Sequence, residues 1–333
     1  MDKSKISYIP VIDLLRGIAA TSVCLFHFIC TTTGFFTSTL LLTFFSYGHY
    51  GVQLFFVISG MVVPLSMING MYKYRNWSRF LLKRFLRIEP PYLIAVLIGT
   101  AYLVIRNYIP SSTPVNLAPG PGTVALHLGY LIPFVPGHTW ISPVFWTLSI
   151  EFQYYLLLSL VFPLALSAKT GVRFLFYALF LGGGFLNLKD AFLPCWLPLF
   201  LIGILYVLWK SGRIPTWEYL LFTLFSMILV GWKMDIPSLV TALLTVGVVH
   251  LFGDFRNKVA KFSGDMSYSL YLLHSITGAA FVNFFSHLAH SHGQKILVIA
   301  GGVVVSVVSA FILNRLVEKP SQKLSSRIKL ERS

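Results

Sequence analysis

Arg16 and His27 lie eleven residues apart in one apolar segment. Eleven residues make about three helical turns, so both side chains project from nearly one face, roughly 16 Å apart along the axis. Ionisable groups in such a segment are costly to insert into lipid, and by default they face a protein interior or a watery cavity. A fixed cation near one end and a titratable base near the other suit a site that grips an anionic donor and moves a proton. The plainer use of the histidine is a hydrogen bond to a neighbouring helix. Asp13 stands three residues before Arg16, a spacing at which the two can pair and lower the cost of inserting both.

Four further constellations stand out. Lys83, Arg84 and Arg87 form a compact cationic cluster in the stretch from Arg79 to Tyr92, read as a loop just inside the membrane. Arginine forks match phosphate oxygens bidentately; a cluster in that place also meets anionic lipid. Ser149, Glu151 and Tyr155 follow Trp146, with Glu151 and Tyr155 on one helix face. A carboxylate in a span needs a partner, and Arg16, an arginine of the cluster or His27 could supply it. Ser267, Tyr271 and His274 recur at steps of four and three, so they share one helix side. Ser59 and Gly60 would let two helices approach closely.

Composition says what must hold these residues. Of 333 residues, 56% are hydrophobic and only 11% charged. Soluble proteins carry about 25% charged residues. The expected fold is therefore all-α: a polytopic integral membrane bundle. A β-barrel would alternate polar and apolar residues rather than give runs such as Leu239 to Val249. Cys24, Cys30 and Cys195 all fall in apolar segments and suggest no disulfide framework.

Apolar runs give about ten transmembrane helices, near 11–30, 51–69, 91–105, 142–166, 172–188, 192–209, 215–232, 236–252, 266–287 and 296–316. Leu40–Tyr47 and Val124–Val135 are shorter and read as interfacial or re-entrant pieces. Despite Lys3 and Lys5, the first run reads as a retained span rather than a cleaved signal, because it holds Asp13, Arg16 and His27. With the N-terminus inside, 21 lysines and arginines fall in inner loops and tails and four in outer loops. The net charge of +15 thus concentrates on one side, and both termini are expected in the cytoplasm. The longest outer loop, Arg106 to Ile141, is rich in proline and glycine and could act as a lid or acceptor platform. The whole chain, 1–333, reads as a single membrane domain without an appended soluble one.

The ordered set of motifs resembles the membrane-bound acyltransferase-3 family. Asp13-Leu-Leu-Arg16-Gly17 with His27 is similar to its R-x10-H signature, and Phe55-Phe-Val-Ile-Ser59-Gly60 to its FFxxSG element. Arg84-x-x-Arg87-Ile-x-Pro90-x-Tyr92 resembles its RxxRI-P-Y element, and Ser149-x-Glu151-x-x-x-Tyr155 its SxExxxY element. Tyr268-Ser269-Leu-Tyr271-Leu-x-His274 and Glu318-Lys-Pro320 are similar to its YSLYLxH and ExP elements. The six elements span most of the chain in the right order.

The resemblance implies O-acylation, usually O-acetylation, of an extracytoplasmic carbohydrate by cytoplasmic acyl-CoA. Acetyl-CoA or another acyl-CoA would be the donor substrate, bound through Arg16, Arg84 and Arg87. His27 and Glu151 would be catalytic, His27 as general base or as acyl-accepting nucleophile. Asp13, Ser149, Tyr155, Tyr271 and His274 would support them. Neither a metal nor a nucleic-acid partner is expected. The partners would be membrane lipid, the carbohydrate acceptor and a separate periplasmic or extracellular chain, with the protein in the inner (plasma) membrane. A transporter or flippase of a lipid-linked sugar would also use ten spans and buried charges, without covalent chemistry.

Overall fold

The computed structural model describes residues 8–108, 118–186 and 188–330. Lys3, Lys5 and positions 109–117 of the loop from Arg106 to Ile141, which enter the reading above, lie outside these residues. Among the described residues every regular element is helical. In chain order they are α1 (Val11–Phe26), α2 (Thr39–Ser46), α3 (Gly51–Asn69), α4 (Trp77–Asn107), α5 (Pro121–His127), α6 (Phe145–Ala165) and α7 (Thr170–Gly183). Then follow α8 (Leu197–Lys210), α9 (Thr216–Lys233), α10 (Ile236–Phe252), α11 (Lys258–Leu273), α12 (Ala279–Phe285), α13 (His292–Leu313) and α14 (Lys319–Ser326). Among the described residues six continuous helices are long and apolar enough to cross a membrane, and α7 and α10 are shorter apolar helices. The protein is an all-α polytopic membrane protein.

Local sequence explains many of the ends. Asn257 caps α11 by accepting from Val259 and Ala260 N–H, and Asp235 caps α10 by accepting from Ser238 N–H at 2.7 Å. Ser291 and Gln294 close a reciprocal capping box at the start of α13. After α8 the chain turns at Gly212, whose φ is +65°. There Gly212 N–H reaches Trp209 O and Arg213 N–H reaches Leu208 O, both at 2.9 Å, which satisfies the last carbonyls of the helix.

The third expected span requires correction. The stretch from Arg79 to Tyr92 is not a loop: α4 runs unbroken from Trp77 through Pro90 and Pro91 to Asn107. The prolines lack N–H groups, so the carbonyls of Leu86 and Arg87 lose their usual partners. Neighbouring helices tolerate such gaps within a membrane bundle, and Tyr268 donates to Ile88 O beside them at 2.9 Å. As a result Arg84 and Arg87 ride on a rigid helix that points them inward. The Leu40–Tyr47 piece is likewise no separate re-entrant segment. Through α2 and a 3₁₀ turn at Tyr47–Tyr50 it extends α3 into one helix, Thr39–Asn69.

Close crossings fix how the helices meet. A Cβ on Gly60 would lie 2.2 Å from Phe200 O, and one on Gly203 2.2 Å from Val57 O, so α3 and α8 touch backbone to backbone. The pair α1 and α11 repeats this device. A Cβ on Gly17 would lie 2.3 Å from Ser263 Oγ, and one on Gly264 2.5 Å from Asp13 Cβ. Small residues are what permit such approach where lipid gives no hydrophobic drive for helices to associate. His27 is ten residues beyond Gly17, and His274 ten beyond Gly264. Equal offsets along two parallel helices bring the histidines to one level.

Candidate active site

Six helical segments converge on a cavity with about 900 Å³ of empty space. Arg16 enters from α1, Ser59 from α3, and Arg84 and Arg87 from α4. Glu151 and Tyr155 come from α6, Tyr268 and Tyr271 from α11, and Glu318 and Gln322 from the last helical rod. The clamp on the arginine helix is α14, where Ser325 Oγ donates to Lys83 O at 2.7 Å.

The charges in this cavity are unequally satisfied. Glu151 accepts from Ser59 Oγ at 3.0 Å and from the Tyr155 hydroxyl. Glu318, only 1% exposed, accepts from Ser269 Oγ at 2.5 Å and from Asn314 Nδ2 and Gln322 Nε2, both at 2.9 Å. Thus hydroxyls and amides, not arginines, occupy both carboxylates. Arg84 is 5% exposed, with its guanidinium 5.4 Å from the Phe80 ring centre and 5.6 Å from that of Tyr155. Its Nε and Nη2 have no hydrogen-bond partner. No ion pair joins Arg16, Arg84 or Arg87 to an acid among the described residues. A buried guanidinium with open donors is costly unless something anionic completes it. Such a cavity can accept an anion.

Two expected pairings are not found. Asp13 does not pair with Arg16. Its backbone is pressed against Gly264, and its carboxylate turns back along α1 to the Tyr8 hydroxyl and to Lys261 Nζ at 3.4 Å. Side chains on a helix lean toward its N-terminus, which favours Tyr8 over a residue one turn ahead. Glu151 meets neither Arg16 nor His27, because Ser59 and Tyr155 already hold it. Ser149 lies apart from the cavity: it donates to Tyr130 O at 3.2 Å and accepts from Gln153.

The histidines form a second centre. Both open π-helical turns, His27–Thr31 and His274–Gly278, irregularities that recur at functional sites in helices. Their ring centres are 5.3 Å apart. The Thr31 hydroxyl donates to His27 O at 3.0 Å, so toward His27 Nδ1, 3.1 Å away, it can only accept. That places a proton on Nδ1 and leaves Nε2 of His27 as the basic nitrogen. His274 is fully buried, and its Nδ1 faces Leu270 O at 3.0 Å, so Nδ1 again carries the proton. Its Nε2 has no partner.

Tyr271 joins the two centres. It lines the arginine cavity, its ring centre is 5.9 Å from that of His274, and its hydroxyl meets Thr147 Oγ1 at 2.9 Å. Neither histidine lines the cavity itself. The structure thus brings together Arg16, Arg84, Arg87, Glu151, Tyr155 and Tyr271 on one side, and His27 with His274 on the other.

Several members of the site are not marked as functional by the sequence. Thr31 sets the His27 tautomer from four residues on, a spacing that could have found it. Glu318 is visible only within the Glu318-Lys-Pro320 motif, and its buried place depends on the π turn Asn314–Glu318. Tyr268 is visible only as the first residue of the Tyr268-Ser269-Leu-Tyr271-Leu-x-His274 motif, and Gln322 gives no local signal. No group of three metal-ligating side chains occurs among the described residues.

A family model described as an acyltransferase domain matches residues 9–315, which include every residue of both centres except Glu318 and Gln322. No curated protein and no solved structure matches the chain. The match covers well over half of the sequence, and the chain belongs to the acyltransferase-3 family.

Proposed function

We propose that this acyltransferase takes an acyl group, most simply acetyl, from cytoplasmic acyl-CoA and passes it to a hydroxyl of an extracytoplasmic carbohydrate. The observation that carries the donor assignment is Arg84, buried with open donors beside Arg16 and Arg87. Acyl-CoA is a polyanion, and its phosphates suit guanidinium forks. In this reading the inner (plasma) membrane holds the chain with both termini in the cytoplasm, and the arginine cavity opens to that side. The acyl end has to pass Tyr271 to reach the histidines.

At His27 the chemistry is a proton transfer coupled to acyl transfer. The acceptor O–H gives its proton to Nε2, the oxygen bonds to the thioester carbonyl carbon, and the C–S bond breaks. The leaving sulfur recovers the proton as CoA thiol. Acyl transfer to Nε2 first, then to the hydroxyl, uses the same nitrogen. Glu151 keeps Ser59 and Tyr155 in place at the donor cavity rather than orienting the base. The glycan, and any separate periplasmic or extracellular chain that presents it, meets the opposite end.

The test is release of CoA from acetyl-CoA by membranes containing the full chain, with glycan acetylation read by mass spectrometry. His27→Ala is expected to abolish both while the protein still inserts. A folded His27→Ala chain with near-normal transfer would remove His27 from the chemistry. A wild-type chain that moves a lipid-linked sugar without releasing CoA would establish the flippase reading instead.

A further inference from the structure

The acyl-transfer reading uses His27 and leaves a buried group unexplained. His274 Nε2 is a lone-pair acceptor, wholly shielded from solvent and without a partner. A buried acceptor left unpaired costs about 1–3 kcal/mol. Its surroundings among the described residues offer no permanent donor. Phe28 lies 6.5 Å away between ring centres, and the Tyr271 hydroxyl is engaged with Thr147. The nearest ring is His27, at 5.3 Å.

That separation has a chemical meaning. Two imidazoles joined by one N–H···N bond have centres about 5 Å apart, roughly 3 Å between the nitrogens plus about 1.1 Å from each nitrogen to its ring centre. Here no such bond is present, and with both Nδ1 protons directed elsewhere none can form between neutral rings. It becomes possible when His27 Nε2 gains a proton, because only then does the pair hold a donor. The rings already stand at bonding separation, so closing it takes a rotation of the part-exposed His27 rather than a helix shift.

We propose that His274 is a positioning residue for acyl transfer: its unpaired Nε2 accepts a hydrogen bond from protonated His27, and so holds the acceptor's proton until the leaving sulfur takes it. This rests on the reading of His27 as the group that takes the acceptor proton. Protons balance, since His27 gains one and gives up one and His274 only accepts a hydrogen bond. The close crossing at Gly17 and Gly264, with the two equal ten-residue offsets, is what sets the pair at one level.

Two substitutions separate this role from packing. His274→Leu fills the space without an acceptor. His274→Gln carries an amide oxygen at about the reach of Nε2. In membranes with acetyl-CoA, His274→Leu is expected to lower kcat at least a hundredfold with KM for acetyl-CoA within twofold, and His274→Gln to recover kcat to within tenfold of wild type. A folded leucine variant with near-normal kcat overturns the proposal, and so does a folded glutamine variant as slow as the leucine one. Should the leucine chain not fold, the glutamine arm decides alone, a loss beyond a hundredfold counting against the pair.

A second readout does not require acyl transfer. Diethyl pyrocarbonate attacks the neutral imidazole, and the pH midpoint of its reaction at His27 can be followed by peptide mass spectrometry. With no acceptor to hold the proton, that midpoint is expected to fall by at least about half a pH unit in His274→Leu and to stay at the wild-type value in His274→Gln. Equal midpoints in all three chains overturn the pair even if acetyl-CoA is consumed. Failure of the wild type to release CoA overturns the donor reading and leaves this measurement in force.

Discussion

At the scale of single residues, satisfaction of hydrogen bonds separates the arginines from the acids. Glu151 and Glu318 are already held by hydroxyls and amides, whereas Arg84 has two open donors. Removing Arg84 therefore takes away an anion contact without stranding a buried acid. Arg84→Ala is expected to weaken acetyl-CoA binding by about 1.5–3 kcal/mol, roughly ten- to a hundredfold, measured by equilibrium binding to the detergent-solubilised chain. Unchanged affinity would return the cluster to lipid contact. Arg16 tests the same idea through shape rather than charge. Arg16→Lys keeps the cation and loses the planar fork, so KM for the donor should rise while that for the acceptor stays. If only the acceptor constant moved, Arg16 would belong to the sugar side.

At the scale of helices, the decisive contact is the one between α1 and α11. A side chain at Gly264 would meet Asp13 Cα and O at 2.6 Å, which are backbone atoms and cannot swing aside. Gly264→Val is expected to cost about 1–3 kcal/mol through overpacking, seen as a lower thermal midpoint. It should also depress transfer, because displaced helices separate His27 from His274. Gly171→Ala is the control: nothing lies within 4 Å of its added carbon, near the start of α7. Alanine there should leave activity alone and raise stability by up to about 1 kcal/mol. Equal behaviour of the two variants would deny the crossing its role. A different device joins α7 to α9. Arg173 forms a two-pronged pair with Glu218, at 2.7 and 2.6 Å, and Tyr177 donates to the same acid. This pair is remote from the cavity, and breaking it should lower stability without changing donor affinity.

At the scale of the whole molecule, the arginine cavity and the histidine pair occupy different levels of the bundle, with Tyr271 between them. Such an arrangement suits a reaction whose substrates arrive from opposite faces. The donor path proposed above requires the arginine-rich end to face the cytoplasm. The exposed end of α14 reports on this directly, because it carries the charged C-terminal stretch. Ser326→Cys, in a chain freed of its three native cysteines, should resist an impermeant maleimide in intact cells and react after lysis. Reaction in intact cells would invert the topology and with it the donor path. Arg173, one of the inner cations in the charge count, is neutralised by Glu218, yet its removal barely changes a 21 to 4 asymmetry.

Composition and periodicity alone determined that the chain is an apolar helical bundle, because lipid leaves a backbone no other way to pair its polar groups except a closed barrel. Local spacing also determined the shared face of Glu151 and Tyr155, since it depends on neighbours a few residues away. The fate of each charge was not legible there. Asp13 and Arg16 are adjacent on one helix, yet α11 claims the acid and the cavity claims the arginine. The stretch from Arg79 to Tyr92 reads as a loop, whereas in the assembled bundle it is part of one continuous helix, α4. The meeting of His27 with His274, 247 positions later in the chain, follows from where Gly17 and Gly264 cross. Tertiary packing decided these points, because a buried polar group takes whichever partner the assembled bundle brings within hydrogen-bond reach.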